Sequence, residues 1–356
     1  MRAEREIPTA SAKEPIRILF CCNPTYYQHL AVTLVSLLEN NRNNRLEVHL
    51  ILSARAPSLE TRLWRSLEPY RNFTLEIHDF PLSGCAHFFV DNHVTVDTYC
   101  RIFAADILSQ NIEKILYLDC DLVVLGDLQD LWSTDVTSYA LAAVPEPYGA
   151  FRREFLGIPN EQPYVNAGVM LVNLRRWRAE GLAQRLSRLI EAHGNSLWYW
   201  DQDAINATLH DAILPLDYRW NVQAQVYKPK WQRYRGTERS VRDACRRPAI
   251  LHYSTAEKPW RFRAIVKKKL IYFDYLAKTD WRSANPLGLA WYHMPEFYLD
   301  HLLARVGIDY TLIVRVLRRI RRAAAQGFAY ARRPWAMLPA APKSEAPPER
   351  QMAADQ

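Results

Sequence analysis

Two aspartates that stand one residue apart follow an apolar run near the middle of the chain. Residues 115–118 have the composition of a buried β-strand, and Asp119 and Asp121 come directly after them. Because alternate residues of an extended chain point to the same face, both carboxylates can face one point. Two such carboxylates repel each other unless a cation compensates, and hard oxygen ligands suit Mg²⁺ or Mn²⁺. The pair is a candidate metal site; the alternative is a solvated strand end with a turn-forming aspartate.

Two later segments add polar side chains that could share this site. Asn166 opens an Asn-Ala-Gly turn before an apolar run, where glycine permits close backbone approach and the asparagine amide both donates and accepts hydrogen bonds. Asp201 and Gln202 belong to an Asp-Gln-Asp cluster that lies between aromatic residues. Each segment also has an ordinary interpretation, as a turn into a strand or as a helix cap at Asp201.

A histidine, a lysine and an arginine complete the set of candidates. His252 ends an apolar run, and an imidazole at a strand end can complete a metal site begun by two carboxylates. Lys258 follows with a compact charge that suits phosphate. Taken alone, His252 would be a structural histidine, and Arg101 would be a surface charge or an ion-pair partner.

The pattern of apolar residues predicts alternating strands and helices. Strands are expected at residues 17–22, 46–52 and 73–77, with helices between them, the second at residues 58–70 with Ser58 as its cap. This order predicts a mostly parallel sheet with ligands outside the carboxyl ends of its strands. Further expectations are helices at residues 97–110 and 178–191 and a loop at residues 145–163. The glycine motifs of dinucleotide-binding and P-loop proteins are absent from the sequence.

Composition sets the limits of the fold. A chain of 356 residues that is 49% apolar can bury a large core, in roughly two domains or in one large domain with appendages. Residues 1–15 are polar, which predicts a disordered leader. The sequence contains no run of about 18 apolar residues, so no transmembrane helix is expected. None of the six cysteines has a C-x-x-C spacing, which favours free thiols in a reducing compartment.

The positive charge is concentrated near the C-terminus. The net charge is +8, and residues 301–340 hold eight arginines and one aspartate, a net +7. Arg315, Arg318, Arg319 and Arg322 fall on one helical face and apolar residues on the other, which predicts an amphipathic helix on an anionic membrane surface. The alternatives are packing onto the catalytic domain and nucleic-acid binding; the absence of a basic stripe elsewhere disfavours nucleic acid as a partner.

Together these motifs resemble glycosyltransferase family 8, whose members are retaining, metal-dependent sugar transferases. The resemblance covers roughly residues 16–262, through four segments that occur in the family's order. They are residues 117–121, 166–168, 200–203 and 252–260. It implies an α/β GT-A fold with a Rossmann-like, mostly parallel central sheet flanked by helices. The expected domains are a catalytic domain at residues 16–280, a basic amphipathic C-terminal helical extension at 281–340 and a disordered tail at 341–356.

The resemblance also implies roles for single residues. Asp119, Asp121 and His252 resemble the three protein ligands of a Mn²⁺ ion, with Mg²⁺ as an alternative, and that ion binds both phosphates of a UDP-sugar. Gln202 and Asp201 resemble catalytic residues near the anomeric carbon. The residues that resemble donor-binding positions are Asn23, Thr25, Tyr26, Arg101, Asp119, Asn166, Ala167 and Lys258. Asn23, Thr25 and Thr255 differ from the residues usual in the family, which leaves nucleotide choice open.

The implied reaction moves glucose or galactose from UDP to a glycan acceptor. The acceptor would be lipid-linked or of the lipopolysaccharide type, at the inner face of the cytoplasmic membrane. Gln202 stands where a nucleophile would be needed, and an amide is a poor nucleophile, so we expect same-face substitution in which the departing phosphate takes the acceptor's proton. The alternatives are a nucleotide- or glycan-binding protein that has lost turnover and a sugar nucleotidyltransferase, although the glycine-rich basic N-terminal loop of the latter is absent.

Overall fold

The computed structural model describes residues 14–80, 88, 96–146, 149–227, 238–262, 264, 266–289 and 302. The chain divides into two compact units, residues 1–301 and 302–356, and every described residue except Leu302 belongs to the first. Most of the predicted leader, most of the C-terminal extension with its amphipathic helix, and the tail lie outside the described residues. The first unit includes Trp281, whose ring is 4.3 Å from the Arg62 guanidinium.

Ten strands in the described part of the chain form two sheets. The strands are β1 (Ile16–Cys22), β2 (Leu46–Leu52), β3 (Phe73–Asp79), β4 (Lys114–Leu118), β5 (Leu122–Val124), β6 (Leu141–Pro145), β7 (Val165–Asn173), β8 (Ile213–Pro215), β9 (Val222–Gln223) and β10 (Ile250–His252). The larger sheet has the order β3-β2-β1-β4-β7-β6-β8, and the smaller has the order β5-β10-β9. In the larger sheet only β7 runs against its neighbours, so the predicted mostly parallel sheet is confirmed.

Helices cover both faces of the larger sheet. They are α1 (Tyr27–Asn40), α2 (Pro57–Leu67), α3 (Ala104–Ile107), α4 (Gln129–Trp132), α5 (Ala150–Phe155), α6 (Leu174–Ala179), α7 (Leu182–His193), α8 (Trp200–Leu209), α9 (Glu238–Arg246) and α10 (Lys269–Leu276). Two 3-10 helices matter for the site, Pro24–Tyr26 and Val96–Phe103. No helix among the described residues is both long and apolar enough to cross a membrane.

The alternation of β1 explains the layered core. Ile18 and Phe20 belong to a buried cluster with α1, whereas Leu19 belongs to a second cluster with α6, α7 and α8. Alternate strand residues point to opposite faces, so a strand that is apolar at nearly every position requires cover on both sides. The result is the helix–sheet–helix layering that the sequence predicts.

Several predicted helix bounds are wrong. The segment predicted as one helix at residues 97–110 is a 3-10 helix followed by the short α3. The helix predicted at residues 178–191 is divided between α6 and α7 at Gly181, whose φ of 58° favours glycine. The predicted loop at residues 145–163 contains α5. Ser58 does not cap α2, because Pro57 already occupies its first turn.

Candidate active site

The two aspartates lie where the chain passes from the larger sheet into the smaller one, between β4 and β5. The Asp119 N–H donates to the Gly168 carbonyl on β7 at 2.9 Å, and the Tyr253 N–H donates to the Asp121 carbonyl at 3.1 Å. His252 is the last residue of β10, which pairs antiparallel with β5. Strand pairing therefore brings both Gly168 and His252 against the aspartates.

Asp119, Asp121 and His252 present ligand atoms that lie within 4.8 Å of one another. The His252 Nε2 atom is 3.2 Å from Asp121 Oδ1 and 3.6 Å from Asp119 Oδ2. Asp121 Oδ1 is buried and has no hydrogen-bond partner among the described residues. A buried oxygen without a partner is costly, and a cation removes that cost. Two carboxylates and one imidazole are a donor set that Mn²⁺ or Mg²⁺ accepts, so the residues fit the metal that the resemblance implies.

Gly168 is required by the close approach of β7 to this group. A Cβ atom at this position would lie 2.3 Å from His252 Cε1 and 2.6 Å from Asp119 Oδ2. Real Cβ atoms do not come so close, and any side chain here would displace two of the three candidate ligands. The glycine of the Asn-Ala-Gly turn therefore makes room for the ligand side chains.

The hydrogen bonds around Asn221 orient the His252 ring. The Gly168 N–H donates to Asn166 Oδ1 at 3.0 Å, so this oxygen is an acceptor, and Asn221 Nδ2 donates to it at 2.8 Å. Asn221 therefore turns its own Oδ1 to His252 Nδ1, 2.9 Å away. In the neutral ring Nδ1 carries the proton, and the Nε2 lone pair faces the carboxylates, as a metal ligand requires.

The Gln202 amide is held by three hydrogen bonds. Its Oε1 accepts from the Ala167 N–H at 3.1 Å and from Asn166 Nδ2 at 3.1 Å, and its Nε2 donates to the Tyr164 hydroxyl at 3.2 Å. Asn166 Nδ2 also donates to Glu146 Oε2 at 3.2 Å. A continuous series of hydrogen bonds thus connects the candidate metal ligand His252 with Gln202.

Arg101 joins Asp119 and Asp201. Its Nη1 is 3.1 Å from Asp119 Oδ1, and its Nε is 3.0 Å from Asp201 Oδ2. The Thr98 hydroxyl also donates to Asp201 Oδ1 at 3.0 Å. Burial raises the pKa of Asp201 to about 6, against the opposing effect of Arg101. Arg101 is not a surface charge: its side chain is only 10% exposed, and it is the counter-ion of both acids.

Lys258 contacts the acidic pair directly. Its ammonium lies 2.5 Å from Asp121 Oδ2 and donates to the Tyr253 carbonyl at 2.8 Å. Burial alone would raise the pKa of Asp121, but the Lys258 ammonium beside it holds that pKa well below its usual range. The aspartate is therefore ionised, with one oxygen on Lys258 and the other facing His252.

A cavity of about 460 Å³ opens over these residues. Its lining consists of Thr98, Arg101, Asp119, Asp121, Glu146, Phe151, Asn166, Ala167, Gly168, Tyr199, Trp200, Asp201, Gln202, Gln223, His252 and Ser254. Eight of the predicted site residues are among them. They are Arg101, Asp119, Asp121, Asn166, Ala167, Asp201, Gln202 and His252. The structure thus collects at one place residues that are 151 positions apart in the chain, from 101 to 252.

Four candidates lie outside the cavity lining: Lys258, which contacts Asp121, and three residues that follow β1, Asn23, Thr25 and Tyr26. Asn23 Oδ1 accepts hydrogen bonds from the Thr25 N–H at 3.0 Å and from its hydroxyl at 2.6 Å, so these residues form the start of a 3-10 helix. The Tyr26 ring meets the Trp260 ring edge to face, with centroids 6.1 Å apart. Burial raises the pKa of Tyr26, and the charge of Asp121 adds to the shift.

Sequence reasoning missed Glu146, Asn221 and Arg152. Arg152 and Asp203 form a completely buried ion pair, and Asp203 Oδ2 accepts from the Tyr199 N–H at 3.0 Å, just before α8. The expectation that Asp201 caps this helix is therefore wrong. The Asp-Gln-Asp cluster was the one available signal for the structural acid Asp203, because a single helix cap does not account for two aspartates. No local pattern distinguishes Glu146 or Asn221 from other polar residues.

The arrangement defines the class of protein. A mostly parallel sheet is joined to a small second sheet at an Asp-x-Asp turn, and the turn faces the candidate donor cavity; this is the GT-A fold. The model of Glycosyl transferase family 8 matches residues 17–264, and the chain belongs to that family. The resemblance drawn from the four motifs is confirmed, and the chain is a glycosyltransferase.

Relatives and solved structures agree with this assignment. General stress protein A of Bacillus subtilis is 28% identical, and the match covers 77% of this chain and 97% of that protein. Lipopolysaccharide 1,2-glucosyltransferase of Escherichia coli is 23% identical, with 78% and 82% covered. For glycosyltransferase GlyA of Streptococcus pneumoniae, 28% identical, the match covers 85% of this chain but 39% of that protein. The structure of galactosyltransferase LgtC with donor and acceptor sugar analogs has a TM-score of 0.67 at 21% identity, covering 79% of this chain and 99% of that chain, which supports the fold.

Proposed function

We propose that this glycosyltransferase moves glucose or galactose, with retention, from a UDP-sugar to a glycan acceptor, using Mn²⁺ or Mg²⁺ held by Asp119, Asp121 and His252. The observation that carries the proposal is the buried Asp121 Oδ1, which has no hydrogen-bond partner among the described residues and faces the oriented His252 Nε2. When bound, the metal would supply Lewis-acid stabilisation of the departing diphosphate.

The residues around the candidate metal site supply further charge and hydrogen bonds to a donor. Lys258 lies against Asp121 and adds a point charge beside the position proposed for the diphosphate. Arg101, Asn166 and Gln202 line the cavity and are held by buried partners, so their positions are set before a sugar arrives. Preorganised polar groups of this kind favour the transition state because they need no reorganisation during reaction.

Retention without a covalent intermediate is supported by the side chains near Gln202. The Gln202 amide is neutral and its oxygen already accepts two hydrogen bonds, while both Asp201 oxygens contact Arg101 or Thr98. We infer same-face substitution: the bond from the anomeric carbon to phosphate breaks, the acceptor oxygen bonds to that carbon on the same face, and its proton passes to the departing phosphate oxygen. A trapped glycosyl-enzyme on Asp201 would contradict this.

The proposed acceptor is inferred from similarity to relatives, and the proposed position at the membrane is inferred from the charge of the C-terminal segment. Similarity to a protein named lipopolysaccharide 1,2-glucosyltransferase supports a hexose donor and an acceptor of the lipopolysaccharide or glycolipid type. The net charge of +7 in residues 301–340 supports a peripheral position on the anionic inner face of the cytoplasmic membrane. This part of the proposal depends on sequence, because the segment lies outside the described residues apart from Leu302.

The decisive experiment measures UDP release from a panel of UDP-sugars, with and without Mn²⁺ and without acceptor. We expect slow, metal-dependent release from UDP-glucose or UDP-galactose, and a decrease of roughly a thousandfold in Asp121→Asn because the charge that holds the metal is lost. Binding of Mn²⁺ and UDP without release from any donor, even when glycan acceptors are added, would favour the alternative of a binding protein. Absence of UDP binding would refute the proposal.

A further inference from the structure

Exposed aromatic rings are concentrated at the mouth of the cavity. Six large apolar side chains are exposed in the described part of the chain, and four of them come from α5 and the turn before α8. The exposed fractions are 46% for Phe151, 59% for Phe155, 63% for Trp198 and 39% for Tyr199. Single exposed apolar residues need no explanation, but a group of rings at one place indicates a binding surface.

Three of these rings form a surface that we call the aromatic platform: Phe151, Phe155 and Trp198. The Phe151 and Trp198 ring centroids are 5.8 Å apart at an angle of 54°. The Arg152 guanidinium lies 4.5 Å from the Phe155 centroid and 5.1 Å from that of Trp198. Arg152 thus connects two rings of the platform by cation–π contacts.

The platform is held by a buried anchor. The Arg152 side chain is 1% exposed, and its guanidinium pairs with the completely buried Asp203 and donates to the Ser196 carbonyl at 3.3 Å. A buried ion pair that is hydrogen-bonded on several sides cannot move without a large cost. The rings above it are therefore preorganised, and a ligand that stacks on them loses little of its binding energy to ordering the protein.

The platform is continuous with the reacting centre. Phe151 lines the cavity together with Tyr199, and Tyr199 is three positions before Gln202. Asp203, which anchors Arg152, also accepts a hydrogen bond from the Tyr164 hydroxyl, to which Gln202 donates. A ligand that extends out of the cavity over Phe151 would therefore reach the Trp198 ring.

The chemistry of the platform suits a sugar ring. One face of many pyranoses presents C–H groups that stack on an aromatic ring, while the hydroxyls at the edge need polar neighbours or water. Polar groups are available near the rings, because Arg153 is half-buried and Glu154 is exposed on the same helix, α5. A lipid chain would need a continuous apolar groove, whereas the cavity that the platform adjoins is lined largely by charged and amide side chains.

We propose that the aromatic platform is an outer acceptor subsite that binds a pyranose of the acceptor oligosaccharide, beyond the sugar that receives the hexose. The inference rests on the proposed transferase function and adds the acceptor class, an oligosaccharide longer than one residue. A monosaccharide acceptor would occupy the cavity without reaching Trp198. The platform should therefore improve kcat/KM only for acceptors that are longer than one sugar.

The test compares a monosaccharide acceptor with di- to pentasaccharide fragments of bacterial lipopolysaccharide core, using the full chain with its donor and metal. In the wild type we expect kcat/KM to rise with acceptor length. In Trp198→Ala this gain should fall by about tenfold, because the stacking contact with the outer pyranose is lost. The matched control is Leu287→Ala, which removes an apolar side chain that is 62% exposed and lies outside the cavity lining.

Each outcome decides one question. An unchanged length dependence in Trp198→Ala, or an equal loss with monosaccharide and oligosaccharide, would overturn the platform proposal. Loss of binding to vesicles of anionic phospholipid in Trp198→Ala, with oligosaccharide kinetics intact, would assign the platform to lipid and also overturn it. Binding of the same fragments, measured directly by saturation-transfer NMR, should be weaker in Trp198→Ala than in the wild type. Failure of the wild type to release UDP from any donor would count against the proposed function instead.

Discussion

The orientation of His252 depends on one buried amide. Asn221 is completely buried, accepts from His252 Nδ1 and donates to Asn166 Oδ1, so it sets the proton position of the histidine ring and the rotation of Asn166 together. Partners of this kind around metal-binding histidines raise their basicity and fix their direction. At the scale of single residues, Asn221 therefore links the candidate metal site to Asn166 in the cavity lining.

Removal of this amide should weaken metal binding. In Asn221→Ala we expect the affinity for Mn²⁺ to fall by about 10- to 100-fold, because His252 loses the acceptor that orients its ring. The measurement is the electron paramagnetic resonance signal of free Mn²⁺ during titration, which does not depend on turnover.

The matched control is Asn173→Ala. The Asn173 amide is also buried, donates to the Val136 carbonyl at 3.0 Å and accepts from the Arg176 N–H at 3.0 Å, but it lies outside the cavity lining. Both variants should lose stability, by about 1–3 kcal/mol, and only Asn221→Ala should lose Mn²⁺ affinity. Equal affinities in the two variants would show that Asn221 has no part in metal binding.

At the scale of elements, α1 and α10 hold the segment that carries Lys258. The His29 ring on α1 stacks on Trp260 with centroids 3.5 Å apart, and His29 Nδ1 is 2.7 Å from the Tyr272 hydroxyl on α10. Burial lowers the pKa of His29 to about 3, so the ring is neutral at physiological pH. The neutral His29 ring, which packs against Trp260 and Tyr272, therefore helps to position Lys258, two residues before Trp260.

This histidine predicts a dependence of stability on pH. The folded pKa of about 3 lies below the ordinary value of 6.5, so between these values the unfolded state binds the extra proton and stability falls as the pH falls. From pH 7.5 to pH 5 the wild type should lose about 2 kcal/mol more than His29→Gln, as measured by urea unfolding. His193→Gln, at an exposed site, should behave like the wild type. The same pH dependence in His29→Gln and the wild type would refute this role.

At the scale of the whole molecule, the site forms only where the two sheets meet. Asp119 follows β4 of the larger sheet, His252 ends β10 of the smaller, and Arg101 and Asp201 come from separate helices. No single element carries the cavity, so the cavity exists only where these elements pack together. Every described residue of the cavity lining belongs to the first unit.

Deletion of residues 302–356 tests whether the proposed membrane contact is independent of UDP release. We expect metal-dependent UDP release to persist, while co-sedimentation with anionic vesicles should decrease, because about 1 kcal/mol of attraction per basic residue near the surface is lost. The matched variant replaces Arg315, Arg318, Arg319 and Arg322 by glutamine and keeps the chain length. Vesicle binding that both changes leave intact would exclude this segment as the membrane contact.

Local sequence patterns determined the type of fold and the centre of the site. Apolar runs of strand length, separated by helical spacing, predict the parallel sheet because the periods of strands and helices are read over a few residues. In the same way, Asp119 and Asp121 stand out because they directly follow such a run. The expected Ser58 cap was wrong because the neighbouring Pro57 begins α2 one residue earlier.

Only the tertiary structure decided which distant polar residues serve these groups. Asn221 is 55 positions from Asn166 and 31 from His252, and Arg152 is 51 positions from Asp203. Hydrogen bonds and ion pairs of this kind depend on how strands from two sheets are placed side by side, which no spacing within a short window encodes. The sequence by itself therefore determined the family and the candidate metal ligands, while the partners that orient them and the aromatic platform beside them emerged only from packing.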